Sequence, residues 1–362
     1  MLSFTYDALP SRVVFGAGSV TKLNEELDRL GVKKALVLCT HQQWSIATQV
    51  TASLGDRTVG LFDRAVMHVP VEIAEAAREE AAKLGADACI AVGGGSTTGL
   101  AKAVALTSDL PVIAVPTTYA GSEMTPIWGM TADGVKKTGR DLRVLPRTVI
   151  YDPDLTMSLP VAMSVTSGMN AIAHCVEGLY SKDANPIVSL MAEDGIRAIA
   201  KALPRIVKNP DDAEARADAL YGAWLGGAVL GAVGMALHHK LCHTLGGSFN
   251  LPHAETHTVV LPHAIAYNSP ESPDAMARVV RALHAAGMPA RDAATGIWDL
   301  AAGLGAPVSL ESIGMLRRHL ERAADLAVEN PYWNPRPVTR VGVRSLLEDA
   351  FEGKRPASVI LQ

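Results

Sequence analysis

Residues 88–100 read ACIAVGGGSTTGL. A short apolar run ends in three consecutive glycines, and a helix of small residues opens behind them. An unbroken apolar run suits a strand buried on both faces of a parallel sheet. Glycines at its end let the backbone approach an anion closely, and the N–H groups of the next helix face that anion with partial positive charge. A tight structural turn uses one glycine or two; three in succession favour a phosphate. Gly93, Gly94, Gly95 and Ser96 are therefore the first candidate contacts to a dinucleotide.

The same grammar extends outward. ALVLCT (35–40), TVGLF (58–62) and PVIAVPTT (111–118) read as further strands, and PVEIAEAAREEAAKLG (70–85) as a helix between two of them. Strands alternating with helices predict an α/β domain whose parallel, Rossmann-like sheet is covered on both faces. PTTYAGSE (116–123) also follows a strand, so Thr117, Thr118 and Ser122 join the coenzyme candidates, with Tyr119 placed beside the substrate end. FGAGS (15–19) is a weaker signal that a plain turn would explain. Thr40, at the end of strand 35–40, is a coenzyme candidate by position, but Thr40-His41-Gln42 offers no carboxylate. An acid there would bind a ribose 2′-hydroxyl and repel a 2′-phosphate. NADH and NADPH both stay open.

The character changes near Asp152-Pro153. Beyond it, 166–181, 186–207, 213–245, 274–287, 291–304 and 308–327 read as helices and nothing reads as a strand. The expected organisation is a dinucleotide-binding α/β domain over 1–157 and an all-α substrate domain over 158–362. GAWLGGAVLGAVGMAL (222–237) is apolar and sixteen residues long. That is short of the ~20 needed to span a bilayer, so a buried helix packed closely through its glycines is expected. ENPYWNPRP (329–337) reads as a loop.

Composition narrows the function. Of 362 residues, 48% are hydrophobic and 19% charged, which permits a large core. A net charge of −4 leaves no footprint for nucleic acid or an anionic membrane. Cys39, Cys89, Cys175 and Cys242 form no CxxC pair and read as free thiols of a reducing compartment. The N-terminus lacks a basic segment followed by an apolar run, so a cytoplasmic protein is expected.

Histidines mark the chemistry. In TSGMNAIAHCVEGLYS, Thr166 or Ser167 is placed to cap a helix, and Asn170 and His174 fall at i, i+4 on one face. In MALHHKLCHTLGGSFNLPH, His239 and His243 repeat that spacing, Gly246-Gly247 are read as the helix end, and His253 as a loop residue beyond it. His238, His239, His243, His253, His257 and His263 fall within 26 residues. One buried histidine is usually a satisfied core group; two i, i+4 pairs and a third contributor predict a shared polar site.

FGAGS, GGGS-x5-K (Gly93–Lys102), PTT…GSE, the His174 helix, H-x3-H-x-LGG-x5-PH (His239–His253), LPH (261–263) and NPR (334–336) together resemble the iron-containing alcohol dehydrogenase family along nearly the whole chain. The resemblance implies a dinucleotide-binding domain joined to a helical domain, in a homodimer. In metal-dependent members an Asp stands at the position of Asn170 and ligates a metal with the counterparts of His174, His239 and His253. Here that residue is an amide, a poorer ligand for a divalent cation. Gly99 also replaces the Asp of the usual GGGSPxD, and TTYAGSE replaces TTAGTGSE. These departures are similar to a branch of the family that reduces an unsaturated keto-dicarboxylate from aromatic-ring breakdown.

That resemblance implies hydride transfer from NADH or NADPH without a metal. His243 is then the first catalytic candidate, with His239 and His253, while Asn170, His174, Lys240 and Tyr119 bind the dicarboxylate. Asn170, His174, His239 and His253 would be a vestigial metal site. A metal-dependent (Fe or Zn) alcohol dehydrogenase is the alternative.

Overall fold

The computed structural model describes residues 4–132 and 135–357. They divide into two compact units, Ala8–Leu159 and a second running from Pro160 together with the N-terminal residues through Asp7.

The first unit contains strands β1 (Arg12–Phe15), β2 (Ala35–Leu38), β3 (Thr58–Phe62), β4 (Ala88–Gly93), β5 (Val112–Pro116), β6 (Ile127–Ala132), β7 (Val135–Arg140) and β8 (Thr148–Tyr151). Its helices are α1 (Leu23–Leu30), α2 (Trp44–Thr51), α3 (Val71–Leu84) and α4 (Gly95–Ser108). Six strands form a parallel sheet in the order β1-β8-β5-β4-β2-β3, and β6-β7 is a separate antiparallel pair. Alternation along β2 explains why both faces are covered. Val37 and Cys39 pack with Leu23 and Leu27 of α1 and Ala47 and Val50 of α2. Leu36 and Leu38 pack with Ala74 and Ala77 of α3 and Leu100 and Val104 of α4.

The strand order creates one special place. The chain leaves β2 toward β3 on one side and leaves β4 toward β5 on the other. The turns after β2 and β4 therefore diverge, and ligands of open α/β sheets bind where such turns separate. FGAGS is a turn: the Asp152 carboxylate accepts from the N–H groups of Gly18 and Val20.

The second unit is helical: α5 (Val161–Tyr180), α6 (Pro186–Lys208), α7 (Ala213–Ala232), α8 (Leu237–Phe249), α9 (His253–Asn268), α10 (Pro273–Ala285), α11 (Ala293–Gly303), α12 (Leu320–Val328) and α13 (Arg340–Glu352). Several expected boundaries move. α5 starts at Val161 behind Pro160, so neither Thr166 nor Ser167 caps it, and the Thr166 hydroxyl bonds back to the Ala162 carbonyl. Stretch 308–327 breaks into short 3-10 turns before α12. α8 runs through Gly246-Gly247 to Phe249 and ends on Asn250 in the left-handed region. His253 is the first residue of α9, not a loop residue.

The apolar stretch 222–237 is not one helix. α7 stops at Ala232, and α8 leaves at a bend of 97°. No single helix among the described residues is long and apolar enough to cross a membrane. The glycines serve packing, because a Cβ on Gly226 would stand 2.8 Å from the Ala171 carbonyl oxygen of α5.

Candidate active site

The bend between α7 and α8 has a chemical cause. α8 has no capping side chain of its own. Glu177 of α5 supplies one, accepting from the N–H of Ala236 at 2.9 Å and of His238 at 2.8 Å. A carboxylate at a helix N-terminus is favoured by the partial positive charge there. Glu177 also accepts from His239 Nδ1 at 2.7 Å. Burial pushes the Glu177 carboxyl up, but the charge and hydrogen bond of His239, with His238 and the Ala236 amide, outweigh it and leave the group below its ordinary value. Glu177 thus lies ionised and fully buried, one helical step past Asn170 and His174 at i, i+4, i+7 on one face of α5.

This anchor fixes tautomers. His239 donates its Nδ1–H to Glu177, and its Nε2 meets no group among the described residues. His238 donates through Nε2 to the His257 carbonyl at 3.1 Å and is thereby a structural residue. Around His239 the rings gather. His174 stacks at 5.2 Å between centroids, His257 stands at 4.8 Å and His243 at 5.9 Å. His253 packs on His257 at 4.4 Å. The structure therefore brings Asn170, His174, His239, His243 and His253 into one helical unit's cluster, and adds Glu177 and His257, which the sequence reading missed. Asn170, His174, His239 and His257 are buried, His243 is half-buried and His253 is exposed.

Three buried imidazoles keep nitrogens that no group among the described residues engages: Nδ1 of His174, Nε2 of His239 and both nitrogens of His257. Burial, then the neighbouring imidazoles, holds His174 and His257 well below the ordinary histidine value. Burial likewise takes His238 to about 4. Buried polar atoms are normally paired, so these mark a place for a ligand.

Tyr332 is a further residue the sequence reading missed. Its hydroxyl lies 3.1 Å from His243 Nδ1. It belongs to the 329–337 loop, which is tied to α8 a second time by Lys240. The Lys240 ammonium donates to the Glu329 carbonyl at 2.9 Å. Lying one position past His239, Lys240 turns to the loop backbone in this structure.

In the α/β unit, the candidates Gly93, Gly94, Gly95, Ser96, Thr117, Thr118 and Thr40 line the diverging turns. Gly93 has φ +153°, and a Cβ there would meet Gln43 Oε1 at 2.4 Å. Gln43 donates to Thr117 Oγ1 at 2.6 Å, while the Thr40 hydroxyl lies 3.2 Å from Gln43 Oε1. Thr118 stands 2.8 Å from the place a Gly94 Cβ would take. Thr97, in the first turn of α4, buries a hydroxyl with no partner among the described residues. A cradle without Cβ atoms and an orphaned hydroxyl at a helix N-terminus fit a dinucleotide pyrophosphate. Ser122 contacts Lys102, its hydroxyl 3.3 Å from the ammonium, and Tyr119 is fully buried.

Among the described residues the imidazole cluster offers a divalent iron no free carboxylate. Position 170 carries an amide, and both oxygens of Glu177 are already taken by Ala236, His238 and His239. Ring nitrogens of His238, His239 and His257 do lie within 4.8 Å of one another. His238, however, spends Nε2 on the His257 carbonyl. The donor set offers no anionic oxygen to an ion that favours one.

Residues 10–153 match the model of the iron-containing alcohol dehydrogenases, and residues 164–351 match that of the Fe-containing alcohol dehydrogenase family, C-terminal. The chain is 60% identical to a maleylacetate reductase of Burkholderia cepacia over 99% of its length and 100% of that protein. It is 59% identical to the maleylacetate reductase of Sphingobium indicum, over 98% of this chain and 99% of that one. The crystal structure of maleylacetate reductase from Agrobacterium tumefaciens superposes with a TM-score of 0.93 at 52% identity, covering 98% of this chain and 100% of that chain.

Proposed function

The chain belongs to the iron-containing alcohol dehydrogenase family, and we propose that it reduces maleylacetate to 3-oxoadipate with NADH or NADPH, without a metal. It is an oxidoreductase. The observation that carries the metal-free reading is a cluster of imidazoles with open nitrogens and no free carboxylate. A divalent cation favours an anionic oxygen, which this cup does not offer.

Maleylacetate is an enone flanked by two carboxylates. The reduced nicotinamide, when bound, supplies hydride to the alkene carbon conjugate to the ketone. Negative charge then collects on the ketone oxygen, and a pre-organised donor stabilises it. His243, half-buried in the cluster with Tyr332 at its Nδ1, is assigned that role. A proton passed on to the α-carbon completes 3-oxoadipate. His239 and His174 orient the substrate in the recess, His239 fixed by Glu177. His253, exposed at the start of α9, and the amide of Asn170 complete the polar lining.

Because the enone delocalises the arriving charge, hydrogen bonds suffice where alcohol oxidation uses a metal to lower a bound alcohol's pKa. The active species is taken to be a cytoplasmic homodimer, which light scattering and cell fractionation check. The deciding assay follows loss of NADH absorbance with enzymatically generated maleylacetate, before and after prolonged chelation, alongside metal analysis. Undiminished turnover and less than one ion per subunit are expected. One tightly held ion per subunit, with activity lost on stripping, would establish the metal-dependent alcohol dehydrogenase instead.

A further inference from the structure

The turn after β2 lacks the acid that would recognise an adenosine ribose, yet the structure brings one to it from the next strand. Past Phe62 the chain stays against the turn after β2: Cys39 N–H donates to the Phe62 carbonyl, Ala65 N–H to the Cys39 carbonyl, and Thr40 forms an isolated antiparallel bridge with Arg64. Asp63 and Arg64 are thereby laid beside Thr40. Asp63 Oδ2 accepts from His41 Nδ1 at 2.6 Å, which leaves its other oxygen open. Arg64 is exposed, with its guanidinium carbon 4.4 Å from the Phe62 ring centroid.

The site lies where a dinucleotide's second half must go. Its pyrophosphate is placed by Gly93–Ser96 and Thr97, at the point where the turns after β2 and β4 diverge. Gln43, in the turn after β2, closes over Gly93. From the pyrophosphate one half runs past Thr117 and Thr118 at the end of β5, and the other runs past Thr40 to the ends of β2 and β3.

We propose that Asp63 and Arg64 are the coenzyme-specificity residues, with opposite preferences. Asp63 accepts a hydrogen bond from the free 2′-hydroxyl of NADH and repels the 2′-phosphate of NADPH. Arg64 attracts that phosphate, as guanidinium groups do. His41 positions the Asp63 carboxylate. Two opposed residues in adjacent positions would let one protein take both coenzymes.

The inference rests on the coenzyme reading and not on the substrate, so the test uses binding alone. NADH and NADPH are titrated by fluorescence against the wild type, Asp63→Asn and Arg64→Gln, without maleylacetate. A hydrogen bond to a charged group is worth enough to set about a tenfold change. Asp63→Asn should raise the NADPH:NADH affinity ratio about tenfold or more, and Arg64→Gln should lower it by a similar factor. Both side chains reach solvent, so each variant should fold as the wild type does. Variants that shift both coenzymes alike, or neither, overturn the assignment while leaving the coenzyme reading intact. A wild type that binds neither nucleotide overturns both.

Discussion

In the α/β unit Lys102 is fully buried, and its ammonium meets four oxygens: the Ser122 carbonyl at 2.6 Å, the Ile127 carbonyl at 2.8 Å, the Thr125 hydroxyl at 2.9 Å and the Ser122 hydroxyl at 3.3 Å. Glu123, buried nearby, accepts from the Tyr151 hydroxyl at 2.8 Å and the Gly121 N–H at 3.2 Å. In the helical unit His257 is equally buried, yet neither ring nitrogen meets a partner among the described residues. A satisfied buried network pins a loop, here the one carrying Ser122. An unsatisfied cluster costs stability and persists where a ligand completes it. The first holds the fold, and the proposed function gives the second to chemistry.

The largest test of that contrast is Lys102→Met. It leaves the buried Ser122 and Ile127 carbonyls without their donor, and an unsatisfied buried acceptor costs about 1–3 kcal/mol each. Urea denaturation should show that loss. A cost below about 1 kcal/mol, the scale of a surface pair, would mean that the ammonium is not anchoring the loop.

Acid should act on the imidazole cluster in a definite direction. His238 falls from the ordinary 6.5 to about 4 in the folded chain. Below 6.5 the unfolded chain takes up a proton that the folded one refuses. The contribution is therefore intact above 6.5 and is lost as pH falls toward about 4. For this one residue the loss is about 3 kcal/mol, and His174 and His257 act in the same sense. Denaturation midpoints across that window test it; a midpoint independent of pH would contradict buried neutral imidazoles.

His243→Ala should lower kcat about 100-fold or more, roughly 2.7 kcal/mol of transition-state stabilisation, with NADH affinity unchanged. Tyr332→Phe should lower it less, because Tyr332 acts through His243. A folded His243→Ala variant with near-normal kcat would remove that ring from the mechanism.

What could be read in the chain follows how far each feature depends on distant residues. The strands around Val37, Ile90 and Ile113 are local apolar runs, and Gly93–Ser96 stands where its neighbours put it. Asn170 with His174, and His239 with His243, are helix-face arithmetic. Glu177 sits on the same arithmetic, three residues past His174, and could have been found there. Its bonds to Ala236, His238 and His239 could not, since they reach about sixty positions along the chain. The break in α7–α8 was hidden for the same reason: nothing local stops the helix at Ala232, while a carboxylate from α5 starts a new one. Asp63 cannot be read from the turn after β2, because it follows β3 and only the isolated Thr40–Arg64 bridge lays it against that turn. β6 and β7, half-buried over Ile127–Ala132, carry no strong apolar run.

Asn170→Asp sharpens the comparison from the other side. It restores a charged oxygen on the face that carries His174, so zinc or ferrous affinity should rise about tenfold or more. Maleylacetate turnover should fall, because an ion or a bare carboxylate then occupies the cup. Calorimetry with the metal alone reads the first effect and the NADH assay the second. Unchanged affinity would show that the amide is not what excludes the ion.

The smallest expected effect has the most telling sign. His257→Leu removes both unpartnered nitrogens and keeps much of the ring's bulk. The His257 carbonyl, which accepts from His238 Nε2, is main chain and survives the change. An unsatisfied buried polar group costs about 1–3 kcal/mol, and an apolar replacement of similar shape relieves part of that. The lost aromatic contacts with His253, His238 and His239 subtract from the gain. The balance should be an increase in stability of about 1 kcal/mol or less, together with reduced turnover. Stability and activity would then move in opposite directions, as expected of a group retained for a ligand. If His257→Leu instead unfolds the helical unit as readily as Lys102→Met unfolds the other, His257 belongs with the residues that hold the fold, and the contrast between the two clusters disappears.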